Sequence, residues 1–340
     1  MSEREKNYDY LRSISCFAIV LLHVSSSYWC VVSRESTDFM IMTVYNALTR
    51  FAVPVFMMLS GAFLLEQNKA TSVRGSLKRF GKSVFTFYIW SAFYAFQGIA
   101  VKFITGKEVT AELWSTSLER FLWGHYHMWF VFLIMGFYLL LPIVKKICES
   151  KNVTEYFLVL WVVTRFAIPF IVPILHLEWV DVWIGKLSLN MLIGYLGYFV
   201  LGYYIRKYGF AKKVRMVVYA GGVVGLLYGI FGTIVQSRAQ DAYIETFFGP
   251  GSWNILLFAT AVFTFFANIR KEGFGDSFVG KIADYSFIIY MIHPFFFEKL
   301  NLVGITTVSF HCLFSIPILT VGIFLSSYLV AAIIKRVLRR

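Results

Sequence analysis

Apolar runs of about 20 residues follow one another along the chain, separated by short polar segments that carry most of the charge. Ten runs are read: Tyr10 to Val32, Phe39 to Leu65, Ser83 to Ile104, Met128 to Val144 and Val153 to Leu175, then Leu187 to Ile205, Val214 to Val235, Phe247 to Ile269, Ile282 to Phe297 and Phe310 to Ile334. Each approaches the ~20 residues that a helix rising ~1.5 Å per residue needs to cross a ~30 Å hydrocarbon layer. A strand of a membrane barrel alternates apolar and polar positions, and stretches such as FAVPVFMMLSGAFLL do not. The pattern predicts an all-α, polytopic integral membrane protein of about ten transmembrane helices, organised as one membrane domain over residues 1–340 with no appended soluble domain.

Composition agrees. Of 340 residues, 58% are hydrophobic and 15% charged, and the mean hydropathy is +0.67, whereas a soluble chain has roughly a quarter of its residues charged. The net charge of +13 would suggest nucleic acid in a soluble protein, but here the distribution explains it. Counted by loop, 22 Lys and Arg fall on one side of the predicted membrane and seven on the other, with Arg12, Arg50 and Arg165 inside spans. Positively charged loops stay in the cytoplasm, so both termini are expected there. Cys16, Cys30, Cys148 and Cys312 lack metal-ligand spacing and read as packing residues. No metal and no permanently bound cofactor is expected.

Ionisable groups within a bilayer cost at least ~2.5 kcal/mol each on insertion scales and are functional candidates for that reason. Arg12 and His23 are eleven residues apart on the first helix, a rise of about 16 Å and close to three whole turns, so they share a face. Arg12 would lie at the cytoplasmic interface, where it could equally snorkel to headgroups, and His23 near mid-membrane. Arg50 enters the second span to a similar depth. Pro54, four residues on, removes the backbone bond that would reach the Arg50 carbonyl and so opens the helix there. Arg165 is another mid-depth cation, a candidate partner for a carboxylate or a substrate. His125, His127 and Trp129 crowd the start of the fourth span in WGHYHMWFVF, and Ser286, Tyr290 and His293 share a face of the ninth. Either group could bind an acceptor or serve packing alone. His176, Glu178 and Asp181, in a predicted outer loop, could contact an acceptor or simply be solvated, and Tyr28, Trp29, Trp114, Trp123 and Trp129 read as an interfacial aromatic belt rather than sugar-stacking platforms.

Taken together, Arg12 with His23, RFAVPVFMMLSGAFLL after Arg50, HYHMWF, GYLGYFVLGYYI and SFIIYMIHP give a chain that resembles the membrane acyltransferase-3 family. That family includes the enterobacterial common antigen O-acetyltransferase and related bacterial surface-polysaccharide O-acetyltransferases. The resemblance runs along nearly the whole chain. It implies a multi-pass enzyme of the bacterial cytoplasmic membrane that moves an acetyl group from acetyl-CoA to a hydroxyl of a lipid-linked or surface glycan. It also implies His23 as the catalytic histidine, with Arg12 and Arg50 binding the donor or organising the site. Some relatives carry a fused extracellular hydrolase-like domain, which is not seen in this sequence.

The chemistry suits those residues. A neutral imidazole can take the proton of a sugar hydroxyl as it attacks a thioester, or can carry the acyl group covalently. Arg50 could stabilise the oxyanion in a dry site. Arg12, with Lys78, Arg79 and Lys82 of the adjoining basic loop, could hold the CoA phosphates, and the ~16 Å rise to His23 is comparable to an extended pantetheine arm. Expected partners are acetyl-CoA, the glycan acceptor and membrane lipids, with no nucleic acid; a homo-oligomer is compatible with the sequence. The rival reading is a transporter or flippase for a glycan precursor, although the two halves lack the matched broken helices that usually mark alternating access.

Overall fold

A computed structural model describes residues 5–67, 71–177, 179–180, 186–187, 194–269 and 276–338. Among them are helices and connecting turns and no strand. Among the described residues seven helical stretches are long and apolar enough to cross a membrane: Thr37–Leu64, Val73–Ile104, Ala111–Glu149, Lys151–Leu175, Lys212–Ala239, Thr246–Asn268 and Cys312–Val337. Two further helices, α1 (Lys6–Ser26, 21 residues) and α12 (Asp276–Leu302, 27 residues), also reach spanning length. Charged and polar groups dilute their apolar character, and these two helices carry His23 and His293. The protein is therefore an all-α, multi-pass membrane protein. Glu178 and Asp181 lie outside the described residues.

The chain divides into two compact units, Met1–Phe63 with Lys151–Arg340 and, inserted between them in sequence, Leu64–Ser150. The first contains α1, α2 (Thr37–Thr49), α3 (Ala52–Leu64, whose last residue belongs to the other unit), α7 (Lys151–Val162), α8 (Ile168–Leu175), α9 (Leu196–Tyr208), α10 (Lys212–Ala239), α11 (Trp253–Asn268), α12 and α13 (Cys312–Val337). The second contains α4 (Val73–Ile104), α5 (Ala111–Trp123) and α6 (Trp129–Glu149). The helix α5 is amphipathic and falls between two predicted spans. Ser36, Ser72 and Thr110 cap α2, α4 and α5 by accepting backbone N–H bonds from Phe39, Gly75 and Leu113, which satisfies donors that the first helical turn leaves over.

Within the first unit, contacts fix the register of α1 against its neighbours. Ser13 Oγ donates to the Val279 carbonyl (3.0 Å) and Cys16 Sγ to that of Ser286 (3.6 Å), contacts that advance in the same direction along both helices, so α1 and α12 run parallel. Against α2 and α3 the order is reversed. Trp29 Nε1 donates to Thr43 Oγ1 at 2.9 Å, while Tyr8 meets Phe63 edge to face at 5.3 Å. Interpolating between these two contacts sets His23 about level with Leu48 and Thr49, at the end of α2. Trp29 is buried, with 2% exposure, so it is a core residue and not part of an interfacial belt; Trp114, Trp123 and Trp129 are exposed.

Glycine permits the closest helix crossing. A Cβ at Gly61 would overlap the backbone of Phe199, and one at Gly202 would overlap that of Met58, so α3 and α9 touch main chain to main chain. Small residues serve this purpose in membranes because apolar burial gives little drive between helices already in lipid. Cys16, Cys148 and Cys312 are buried and reduced, in keeping with packing, while Cys30 is exposed.

Candidate active site

The described sequence candidates fall into both units. His23, Arg12, Arg50, Arg165, Tyr290 and His293 belong to the first; Lys78, Arg79, Lys82, His125, His127 and Trp129 belong to the second.

In the first unit the parallel packing of α1 and α12 brings His23 and His293 together, with ring centroids 5.1 Å apart and planes tilted by 40°. His293 is fully buried. Its Nδ1 is 2.7 Å from the Tyr290 carbonyl, and a ring nitrogen so close to a carbonyl oxygen must carry a proton. In the neutral ring Nε2 is then the acceptor. His23 is only partly buried, so it retains access for a reactant while its buried neighbour is held by its own helix. Tyr290 adds a ring 5.9 Å from that of His293.

At the same level, α2 ends at Thr49 and α3 begins at Ala52. Pro54 has no N–H to offer the Arg50 carbonyl, and helical bonding resumes with Val55 N to the Phe51 carbonyl at 2.9 Å. The opening lies where the Arg50–Pro54 spacing predicts it. The Arg50 side chain is oriented twice: Nε donates to Asn46 Oδ1 at 2.7 Å, and the guanidinium carbon is 4.6 Å from the centroid of Phe248. Glu245 and Tyr195 also lie within electrostatic range of Arg50. Sequence reading missed Asn46, Tyr195, Glu245 and Phe248. Asn46, a buried amide four residues before a mid-membrane Arg, was the one legible signal; the others come from remote segments.

Arg165 occupies the same region. It sits in a π-helical turn, Val163–Ala167, between α7 and α8, a wide turn of a kind often found at functional sites. Its guanidinium lies against Gly251, where a Cβ would overlap it. Arg165 and Arg50 both act electrostatically on Tyr195. Tyr198, beside Tyr195 at 6.1 Å between centroids, donates to the Pro250 carbonyl at 3.1 Å.

Arg12 lies toward the N-terminal end of α1, with its guanidinium carbon 5.9 Å from the Phe63 ring. Arg206, which was counted only among the loop cations, meets the same ring at 4.5 Å. It donates to the Ala62 carbonyl at 2.8 Å and pairs with Glu5. Two guanidiniums therefore share Phe63 at this end of the unit.

In the second unit, Lys78 and Lys82 are exposed near the start of α4. With Arg74 they form an i, i+4, i+8 stripe on one face. Arg79 donates to Gln67 Oε1 at 3.2 Å. Arg74 stands in the first turn, at the positive end of the helix dipole, and the three like charges repel one another, an arrangement that an anion would relieve. His125 and His127 approach with Nδ1 atoms 3.0 Å apart, and His125 stacks on Tyr94 at 4.3 Å between centroids. Trp129 begins α6 and is exposed. Among the described residues no group of three His, Cys, Asp or Glu is arranged to hold a metal.

Residues 5–336 match the acyltransferase-3 family model, described as an acyltransferase domain. A protein of Bacillus subtilis (strain 168) named "Putative membrane-bound acyltransferase YfiQ" is 24% identical over 317 residues, covering 84% of this chain and 79% of its own. No solved structure matches. The match extends over the helices that bear His23, Arg50, Arg165 and His293 alike, and the chain belongs to the acyltransferase-3 family of membrane acyltransferases.

Proposed function

We propose that this acyltransferase is an O-acetyltransferase of the bacterial cytoplasmic membrane, which moves an acetyl group from acetyl-CoA to a hydroxyl of a lipid-linked or surface glycan. The observation that carries the reading is the His23–His293 pair, 5.1 Å between ring centroids, at the level where α2 and α3 part around Arg50. A half-buried imidazole braced by a second imidazole, with a guanidinium at the same depth, supplies the two elements that acyl transfer needs: a base and a stabiliser of developing negative charge.

In direct transfer, His23 takes the hydroxyl proton as the acceptor oxygen attacks the thioester carbon, and Arg50 stabilises the resulting oxyanion. When the C–S bond breaks, the imidazolium returns the proton to the CoA thiolate. In the covalent variant His23 is itself acylated, releasing CoA, and then passes the acetyl group to the acceptor hydroxyl. In both, His293 positions His23. Arg12, at its own end of the first unit, offers a cation to the donor phosphates, and Lys78, Arg79 and Lys82 form a basic stretch within theirs. Within their own unit His125 and His127 hold one another and Tyr94, which supports a structural role for that pair.

The test is acetyl-CoA binding and consumption by purified protein in nanodiscs. Binding weakened in Arg12→Ala, and consumption that requires a glycan acceptor and is lost in His23→Ala, are expected. Absence of acetyl-CoA binding by folded wild-type protein would overturn the choice of donor.

A further inference from the structure

The charge balance around Arg50 and Arg165 calls for a further anion. Two guanidiniums act on the Tyr195 hydroxyl, and both side chains are partly withdrawn from the surface. Glu245 is the carboxylate that acts on Arg50. Among the described residues, Arg165 makes no ion pair and no hydrogen bond, and Arg50 donates only through Nε, to Asn46. Arg presents five N–H donors in a rigid fork, so most of the donors of this pair are uncommitted. Two cations at membrane depth with one carboxylate between them are expensive unless a substrate or cavity uses the remaining charge.

The local backbone is arranged to keep Arg165 there. The π-helical turn Val163–Ala167 breaks the regular helix at this residue, and Gly251 leaves room for the guanidinium where any side chain would displace it. Pro250, next to it, accepts the Tyr198 hydroxyl bond, tying the segment to α9. Tyr195 and Tyr198 stand beside the cations with an aromatic surface, which suits a charged sugar.

We propose that Arg165 and Arg50, with Tyr195, form an anion subsite that selects an acidic acceptor, one bearing a carboxylate or phosphodiester near the hydroxyl to be acylated. This rests on the acyltransferase reading for its purpose but not for its test. Arg165 is then a specificity-determining residue, and Arg50 serves both the subsite and the reaction centre.

Binding of three probes is measured by calorimetry in nanodiscs of neutral lipid: octyl β-glucoside, octyl β-glucuronide, and glucose joined to an octyl chain through a phosphodiester. The expected result is at least tenfold tighter binding of one anionic probe than of the glucoside. Preference for the glucuronide would identify an acidic sugar; preference for the phosphodiester, a lipid-phosphate-linked sugar. Arg165→Gln should bring the anionic probe down to the level of the glucoside. Gly251→Ala, which keeps the charge but displaces it, should reduce the preference as well, with melting transitions confirming that both variants fold. Equal binding of all three probes by the wild type, including no binding of any, overturns the proposal, and so does a preference that survives Arg165→Gln. Acetyl-CoA binding in the same samples reports separately on the donor: its absence would remove the O-acetyltransferase reading while leaving the anion preference to stand or fall on its own.

Discussion

The ring of His23 stands 5.1 Å from that of His293, although one histidine lies in the first helix and the other in α12, near the opposite end of the chain. Their meeting follows from the parallel alignment of α1 and α12, secured below by Ser13 and Cys16 bonding to the Val279 and Ser286 carbonyls. His23 carries the accessible ring and His293 the buried one, which makes their substitutions separable.

Replacing His23 by Ala is expected to lower acetyl transfer by about 10²-fold or more, the range a general base contributes, with insertion and melting behaviour preserved. Wild-type turnover in that variant would remove His23 from the reaction. Incubation with acetyl-CoA without acceptor, followed by peptide mass spectrometry, distinguishes the two routes: an acetyl adduct on His23 marks the covalent one, and an unmodified peptide during active turnover marks direct transfer.

His293 is assigned a positioning role, so its variants should differ from those of His23. His293→Ala is expected to reduce kcat and shift the pH profile of kcat/KM, and His293→Gln, which keeps an acceptor in the side chain, should recover part of the rate. Equal losses in the two variants, with an unmoved profile, would indicate packing alone.

Arg12 and Arg50 should separate kinetically. Arg12→Ala is expected to raise the KM for acetyl-CoA with kcat little changed, as for a group binding ground and transition states alike. Arg50→Ala should lower kcat by about 10²-fold, the order found when an oxyanion donor is removed. Asn46→Leu, which deprives Arg50 Nε of its acceptor, should reproduce part of that loss.

The contact between α3 and α9 predicts a stability effect remote from chemistry. Gly202→Ala places a methyl group into the Met58 backbone, and such overpacking costs typically 1–3 kcal/mol. The expected result is a lower melting temperature in detergent, read by the loss of a monodisperse species on heating. Gly209→Ala at the C-cap of α9, where nothing crowds the glycine but φ is 65°, should cost less, about 1 kcal/mol.

Much of this was legible in one dimension. Long apolar runs leave helices as the spanning solution, because backbone polar groups in lipid must be satisfied within the segment; the helical, multi-pass character and the break at Arg50 and Pro54 follow from local sequence, while part of the expected span Leu187 to Ile205 lies outside the described residues. So does the singling out of His23, Arg50, Arg165 and His293, since a mid-membrane charge is costly wherever the helix lies. Partnership was not legible. Whether His23 faces His293, whether Phe248 and Glu245 reach Arg50, and whether Gly251 makes room for Arg165 depend on which helices become neighbours and at what register. Those contacts join residues up to some 270 positions apart, and no periodicity within a single helix encodes them. Trp29 shows the same limit: its sequence position suits a membrane interface, but tertiary packing buries it against Phe39 and gives its N–H to Thr43. The sequence by itself determined the helices and the costly groups they carry, through local hydrophobicity and backbone chemistry; only the tertiary structure decided which of those groups meet, because meeting is a property of helix packing.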